Sequence, residues 1–174
     1  YVVVESVYSM DGDIAPLEEI SKLCQQFNAN LIVDEAHATG IFGEKGKGLV
    51  VQFGLESTVF ARIITFGKAI GTHGAIILGS ETLRNYLINF ARSFIYTTAA
   101  PIHNIISINC AYQLLAKGDF HLQIQHKIAL YNRLIENVAL PIIKSESGIQ
   151  TELISGNENV RNAASQLQSR GLDV

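Results

Sequence analysis

Three residues with reactive or ionisable side chains follow apolar runs in a pattern that suits one kind of chemistry. Asp34 and His37 come directly after the apolar run at 30–33, and Lys68 lies in a glycine-flanked turn after the run at 59–64. A lysine amine can form an imine with an aldehyde, and a carboxylate can pair with a protonated ring nitrogen. Pyridoxal phosphate needs both functions from its protein, so the pattern predicts a site for that cofactor.

Four hydroxyl residues add to this candidate site. Ser9 opens the turn-rich stretch SMDGD, and Thr65 stands three positions before Lys68, where its hydroxyl could bind a phosphate. Thr97 and Thr98 belong to a polar cluster that precedes a long apolar helix beginning at Pro101. The free N–H groups at such a helix start could equally receive a phosphate.

Each residue also has a plainer interpretation. Asp34 could cap a turn, His37 could be an ordinary polar loop residue, and Thr65 could serve only its turn. Lysines are usually solvated at the surface, although the position of Lys68 after an apolar strand predicts partial burial. The His and Cys residues have no metal-ligand spacing, so no metal site is predicted. The occurrence of Asp34, His37 and Lys68 together favours the cofactor interpretation, in which His37 contacts the phenolic oxygen of the ring.

The first half of the chain alternates strand-like and helix-like runs. Short, continuously apolar strands are predicted at 2–5, 30–34, 59–65 and 75–78, with an amphipathic helix at 17–27. This alternation predicts an α/β fold with a mostly parallel sheet and helices on both faces. Ligands of such sheets gather at the carboxyl ends of the strands, where Ser9, Asp34, His37 and Lys68 all lie.

The second half is predicted to be largely helical. The pattern favours helices at 81–92, 101–116 and 120–138, the second of them apolar enough to be buried or to form an interface. A strand at 148–155 and a helix at 159–170 then indicate the start of a smaller C-terminal α/β domain. We therefore predict that 1–116 is part of a large cofactor-binding domain and that 117–174 holds a connecting helix and part of the small domain.

The composition narrows the class of protein. The 174 residues carry 13 Lys and Arg against 16 Asp and Glu without a basic patch, which argues against a nucleic-acid partner. No apolar run is long enough for a membrane helix, and the N-terminus does not resemble a signal peptide. The two cysteines fall in helix-like segments, which favours reduced thiols and a cytoplasmic location. The chain opens within one strand-like run and stops at the beginning of another, so we expect truncation at both ends.

Four segments together resemble the α-oxoamine synthases, fold-type I pyridoxal-phosphate enzymes of the aminotransferase superfamily. These segments are ESVYSMDGD at 5–13, VDEAHATG at 33–40, TFGK at 65–68 and FIYTTA at 94–99. They occur in the family's order and span most of the chain. The resemblance implies pyridoxal 5'-phosphate as cofactor, contacts from Ser9 and His37 to its ring oxygen, and a homodimer in which Thr97 or Thr98 reaches the partner's phosphate.

The resemblance also implies an activity. Family members condense an amino acid with an acyl thioester and release CoA and CO2, with the lysine acting as the base. The segments ATG and FIYTTA are most similar to the members that join L-alanine to a pimeloyl group, carried by CoA or an acyl carrier protein, in biotin biosynthesis. Relatives that use glycine or serine remain alternatives, and so does a non-catalytic homologue that acts as an interaction module.

Overall fold

The centre of the protein is a four-stranded, mostly parallel sheet. The structure, a computed structural model, describes residues 1–138 and 141–174. The strands lie in chain order, β1 (Val2–Glu5), β2 (Leu31–Asp34), β3 (Ala61–Thr65) and β4 (Ala75–Gly79). The first three are parallel and β4 is antiparallel to β3. This confirms the predicted mostly parallel α/β sheet, and all four predicted strands are present within two residues of their expected ends.

Hydrophobic burial on one side of β1 and β2 explains why these short segments form strands. Leu31 and Val33 are almost completely buried, while Ile32 between them is only partly covered. Helix α1 (Leu17–Gln26) buries Leu17 and Cys24 against this face. The short helix α2 (Leu49–Gln52) adds Leu49 and Val50 to the same cluster, and a single 3₁₀ turn (Glu44–Gly46) precedes it. This core holds β1 and β2 in place.

The strand register brings the candidate residues to one edge. Glu5 pairs with Asp34 across β1 and β2, and Asp34 pairs with Ile63 across β2 and β3. Because the three strands are parallel, the residues that follow each of them emerge at the same end of the sheet. The predicted convergence of the strand ends is therefore present in the fold.

Residues 75–117 form a less buried part of the protein. Strand β4 is exposed along its whole length, so the predicted helical cover on both faces stops before this strand. The predicted helix at 81–92 is interrupted at Ala91, which has an extended backbone, and yields α3 (Glu81–Phe90) and α4 (Arg92–Ile95). Helix α5 (Ile102–Lys117) packs Ile108, Ala111 and Leu115 on the sheet, but leaves Ile102, Ile105 and Ile106 exposed.

The C-terminal part contains α6 (Phe120–Ile135), the two-residue strands β5 (Ile142–Ile143) and β6 (Thr151–Glu152), and α7 (Asn157–Ser169). The predicted strand at 148–155 was too long, because the Ile149 N–H donates to the Ser147 hydroxyl instead of to a neighbouring strand. The strand-like run at the end of the chain, 171–174, pairs with no described strand. The predicted helix end at 138 lies three residues beyond the observed end. The division at 116 and 117 stays a prediction.

Within the described residues, no helix combines the length and the apolar character that a membrane crossing requires.

Candidate active site

Asp34 sits at the end of β2 and begins the loop that carries His37. Its carboxylate oxygen Oδ1 accepts a hydrogen bond of 2.8 Å from the Ala36 N–H, so the turn-capping role is realised. Its main-chain oxygen accepts a bond of 2.8 Å from the Ser6 N–H, which extends the pairing with β1. Among the described residues, Oδ2 of Asp34 has no hydrogen-bond donor. The turn therefore orients the carboxylate and leaves one oxygen for a positively charged group.

Lys68 lies in the turn between β3 and β4. Phe66 and Ile70, two residues to either side, are buried against α5, and they anchor this turn. The Lys68 main-chain oxygen accepts a 3.0 Å bond from the Gly71 N–H. Its side chain is exposed, contrary to the predicted partial burial, because the two apolar neighbours take the side of the turn that faces the helix. The amine is thus presented on the open side of a firmly anchored turn.

A close approach between two glycine-containing loops brings the lysine turn to the Asp34 loop. Gly40 has a positive φ of 85°, and a Cβ built on it would lie 2.4 Å from the Cβ of Ala69. Real side chains do not approach this closely, so only glycine permits the contact. The residue after Lys68 consequently packs directly on the segment that follows His37.

The electrostatics of His37 involve two of the other predicted residues. Partial burial lowers the pKa of this imidazole below 6.5, and the positive charge of Lys68 lowers it further. The carboxylates of Glu5 and Asp34 act in the opposite direction. Lys68 and Asp34, distant in sequence, therefore both act on one ring, and at neutral pH the lowered pKa leaves that ring uncharged and able to hydrogen-bond a ligand.

We expect His37 to titrate below pH 6.5 in cofactor-free protein. Because its pKa is lower in the folded state, the unfolded state binds more protons between the two values, and stability is lost as the pH falls from 6.5 through the folded value. The imidazole resonances followed by NMR measure this pKa directly. His37→Gln should remove the corresponding part of the pH dependence of unfolding, and a midpoint at or above 6.5 would contradict the assignment.

Two buried hydroxyls next to the lysine turn test whether a phosphorylated cofactor fits. The side-chain oxygens of Thr65 and Thr72 are buried and have no hydrogen-bond partner among the described residues. Buried polar atoms are normally paired, so these two hydroxyls are available to bind a ligand. Thr65 ends β3 and Thr72 closes the Lys68 turn through a 2.8 Å bond from its N–H to the Phe66 oxygen. Hydroxyl donors on both sides of the lysine suit a phosphate group.

The remaining predicted residues occupy different positions. Ser9 is exposed at the same sheet edge, and its N–H donates to Glu5 Oε2 at 3.1 Å. Thr97 and Thr98 are exposed between α4 and α5, and neither side chain hydrogen-bonds to another described residue. The fold thus groups Ser9 with Asp34, His37 and Lys68, whereas Thr97 and Thr98 remain outside this group within one chain.

Glu5 is a member of the site that the sequence pattern did not identify. It is partly buried at the end of β1, bonds the Ser9 amide and acts electrostatically on His37. Its place at the carboxyl end of a predicted strand was the available signal, because Asp34 was recognised by the same criterion.

A buried ion pair between Glu35 and Arg62 lies next to the site. Glu35 is completely buried beside Asp34, and its carboxylate accepts hydrogen bonds from Arg62 Nε and, at 2.9 Å, from the Val50 N–H. Arg62 also donates to the main-chain oxygen of Lys47. Burial raises the pKa of Glu35 above 4.5, while the Val50 amide and the Arg62 charge oppose that change. The pair ties β2 and β3 to the glycine-rich loop that precedes α2.

The sequence matches a known protein family and is similar to individual members of it. Residues 1–170 match the family described as aminotransferase class I and II. An 8-amino-7-oxononanoate synthase from Emericella nidulans is 50% identical over 132 residues, which cover 74% of this chain and 32% of that protein.

Solved structures agree with this match. The crystal structure of 8-amino-7-oxononanoate synthase from Francisella tularensis superposes with a TM-score of 0.90 at 27% identity, covering 100% of this chain and 52% of that one. A variant of serine palmitoyltransferase from S. paucimobilis, solved with a bound PLP–myriocin aldimine, gives a TM-score of 0.86 at 25% identity, covering 99% of this chain and 45% of that one. The chain therefore spans about half the length, or less, of these proteins.

Proposed function

We propose, from the premise that this chain belongs to the class I and II aminotransferase family and resembles its α-oxoamine synthases, that the whole protein is a pyridoxal-phosphate-dependent acyltransferase. The observation that carries the proposal is the contact between Gly40 and Ala69, which joins the Lys68 turn to the Asp34–His37 loop. It assembles an amine, a carboxylate and an imidazole at the carboxyl edge of a parallel sheet, where ligands of such folds bind.

The residues of the chain can be given separate tasks. Lys68 Nζ would hold the cofactor covalently until the amino group of the substrate displaces it, and the released amine would then act as the base that accepts the proton from the α-carbon of the amino acid. Asp34 would use its free Oδ2 to hold a protonated ring nitrogen, and the neutral His37 would hydrogen-bond the ring oxygen, with Ser9 beside it. The orphaned hydroxyl of Thr65 would donate to the phosphate. Bound in this way, pyridoxal phosphate would supply an electron sink for the developing carbanion.

The reaction we infer is the decarboxylative condensation of L-alanine with a pimeloyl thioester, on CoA or an acyl carrier protein, to 8-amino-7-oxononanoate. Its support is the 50% identity with the Emericella nidulans synthase over 132 residues. This reaction belongs to biotin biosynthesis, and the substrates are an amino acid and an acyl thioester.

A CoA-release assay on the whole protein tests this function. With pimeloyl-CoA as the thioester, we expect release with L-alanine to exceed release with glycine or L-serine by roughly 10- to 200-fold, since a pocket distinguishes substrates that differ by one small group to that extent. Preference for serine with a long acyl-CoA would instead support the palmitoyltransferase type, to which the S. paucimobilis structure is similar. Absence of release with every amino acid would support a non-catalytic homologue.

We also infer that the protein functions as a homodimer. Large apolar side chains are exposed along α3, α4 and the segment before α5, including Phe90, Phe94 and Tyr96, next to Thr97 and Thr98. Monomers rarely expose a contiguous apolar surface of this kind. A second copy on this surface would bring Thr97 or Thr98 to the partner's phosphate. Sedimentation of a single chain at all micromolar concentrations would contradict this inference.

A further inference from the structure

A buried hydrogen-bond cluster connects the C-terminal part to the turn that carries Ser9. We propose that Ser145 and Thr151 are positioning residues for Ser9, because their hydroxyls donate hydrogen bonds to two main-chain oxygens of that turn, those of Gly12 and Met10. The contacts join residues more than 130 positions apart in the sequence. The role of Ser9 in cofactor binding rests on the proposed function. The effect of Ser145 and Thr151 on the conformation of the turn does not.

The turn at residues 8–13 makes few bonds of its own. It is closed by the Tyr8 N–H, which donates to the Asp13 oxygen at 2.9 Å, and by the Gly12 N–H, which donates to the Tyr8 oxygen at 2.9 Å. Ser9 and Met10 are exposed, Met10 to 79%. The tip therefore has little hydrophobic anchoring, and the oxygens of Met10 and Gly12 accept no hydrogen bond from a described main-chain N–H.

Those two oxygens receive hydroxyl donors from the C-terminal segment. Ser145 Oγ donates to the Gly12 oxygen at 2.9 Å and Thr151 Oγ1 donates to the Met10 oxygen at 2.8 Å. The first bond is buried, because Ser145 is only 5% exposed. Water cannot replace a buried donor, so the loss of this hydroxyl would leave the Gly12 oxygen unsatisfied.

The donors are themselves held in place. The Ser147 N–H donates to Ser145 Oγ at 3.0 Å, and the two serine hydroxyls are 2.8 Å apart. Asn132 from α6 donates to the Ser145 main-chain oxygen at 2.9 Å. The Ser145 hydroxyl is thus fixed in direction before it meets the turn, which is the property expected of a positioning group.

Gly12 completes the fit between the two segments. A Cβ at this position would lie 2.5 Å from Ser145 Oγ, 2.8 Å from Ser147 Oγ and 2.7 Å from the Ile149 oxygen, and the residue has a positive φ of 75°. The turn can therefore pack against Ser145 and Ser147 only because residue 12 is a glycine. Since Gly12 lies three residues after Ser9, the C-terminal segment fixes the turn that presents the Ser9 hydroxyl to the site.

Hydrogen exchange measured by mass spectrometry tests the proposal without cofactor. In the double variant Ser145→Ala/Thr151→Val, we expect amides at residues 8–13 to exchange roughly tenfold faster, while those of β2 stay unchanged. Ser21→Ala is the matched control, because it removes another buried serine whose bond to Thr58 lies in the α1 region. Unchanged exchange at 8–13, or an equal rise throughout the chain, would overturn the proposal.

Cofactor affinity supplies a second measurement that a purely structural role would not reproduce. If Ser145 acts through Ser9, then Ser145→Ala should weaken pyridoxal phosphate binding in the natural background but have little further effect in Ser9→Ala protein. Additive losses would contradict the proposal. Should Ser145→Ala fail to fold, Thr151→Val alone removes the exposed bond and must still accelerate exchange of the Tyr8 and Gly12 amides, which close the turn. Failure of the natural protein to bind pyridoxal phosphate would refute the proposed function. The hydrogen-exchange experiment would still test whether Ser145 and Thr151 hold the turn, because it is made without cofactor.

Discussion

Lys68→Ala is expected to abolish covalent attachment of pyridoxal phosphate and to lower kcat for CoA release by at least ~10²–10⁴-fold, the range of a lost acid–base group. The anchored turn explains why the effect should be specific. Phe66 and Ile70 hold the turn through their own buried contacts with α5, whereas the Lys68 side chain is exposed. The substitution therefore removes an amine and leaves the core intact.

The matched control for this prediction is Lys22→Ala. Lys22 is an exposed lysine of α1, on an element that contributes nothing to the Asp34–His37–Lys68 group. Absorbance of the bound cofactor and CoA release should be unchanged in this variant. The two variants should also unfold at similar urea concentrations, since neither removes buried surface. If Lys68→Ala kept substantial activity, the assignment of the catalytic amine would be wrong.

Arg62→Met is expected to lower the free energy of unfolding by about 3–5 kcal/mol, the usual cost of removing one partner from a buried ion pair. Glu35 would remain completely buried and would keep main-chain N–H donors such as that of Val50, but no positive charge. The methionine fills most of the arginine's volume, so loss of packing contributes little. Urea denaturation followed by circular dichroism measures the change.

Two further variants separate the buried charge from other causes. In Glu35→Gln/Arg62→Met the unpaired carboxylate is gone, so this protein should be more stable than Arg62→Met alone. Lys45→Met breaks the ion pair with Asp119, in which both side chains are exposed, and should change stability by less than ~1 kcal/mol. An Arg62→Met loss as small as that of Lys45→Met would contradict the role of the buried pair.

The ion pair between Glu35 and Arg62 also restricts the position of Asp34. Gly48 has a positive φ of 98°, and a Cβ there would lie 2.6 Å from Glu35 Oε1 and 2.7 Å from Arg62 Nη2. The glycine-rich loop therefore closes over the charges directly behind Asp34. Because Glu35 and Asp34 are consecutive, the support that fixes one also limits movement of the other.

Much of this arrangement follows from local patterns in the sequence. The runs at 2–4 and 31–33 are continuously apolar, which is typical of strands in parallel sheets, and this made the strands recognisable although Val3 is exposed. Once the strands were assigned, the parallel connections required Asp34, His37 and Lys68 to emerge at one edge. The turn-capping bond of Asp34 is likewise a local feature that its residue type predicts.

Other features depend on contacts that no local pattern contains. Arg62 interrupts an apolar strand and would be expected to reach solvent, yet it is 8% exposed because Glu35 neutralises it. The bond between Ser145 and Gly12 joins segments 133 positions apart. The strand predicted at 148–155 was too long for a local reason, because the Ser147 hydroxyl bonds the main-chain N–H and oxygen of Ile149, which a sheet would have used. The long-range contacts of Arg62 and Ser145, by contrast, exist only after the chain has folded.

The identity of the residue that carries the cofactor is the central claim, and one measurement tests it most directly. The protein loaded with pyridoxal phosphate is reduced with borohydride, digested, and analysed by mass spectrometry for the labelled peptide. Of the seven lysines in the chain, only Lys68 should carry the label. A label on any other lysine, or complete absence of a label from protein that binds the cofactor, would contradict the site described for this fold.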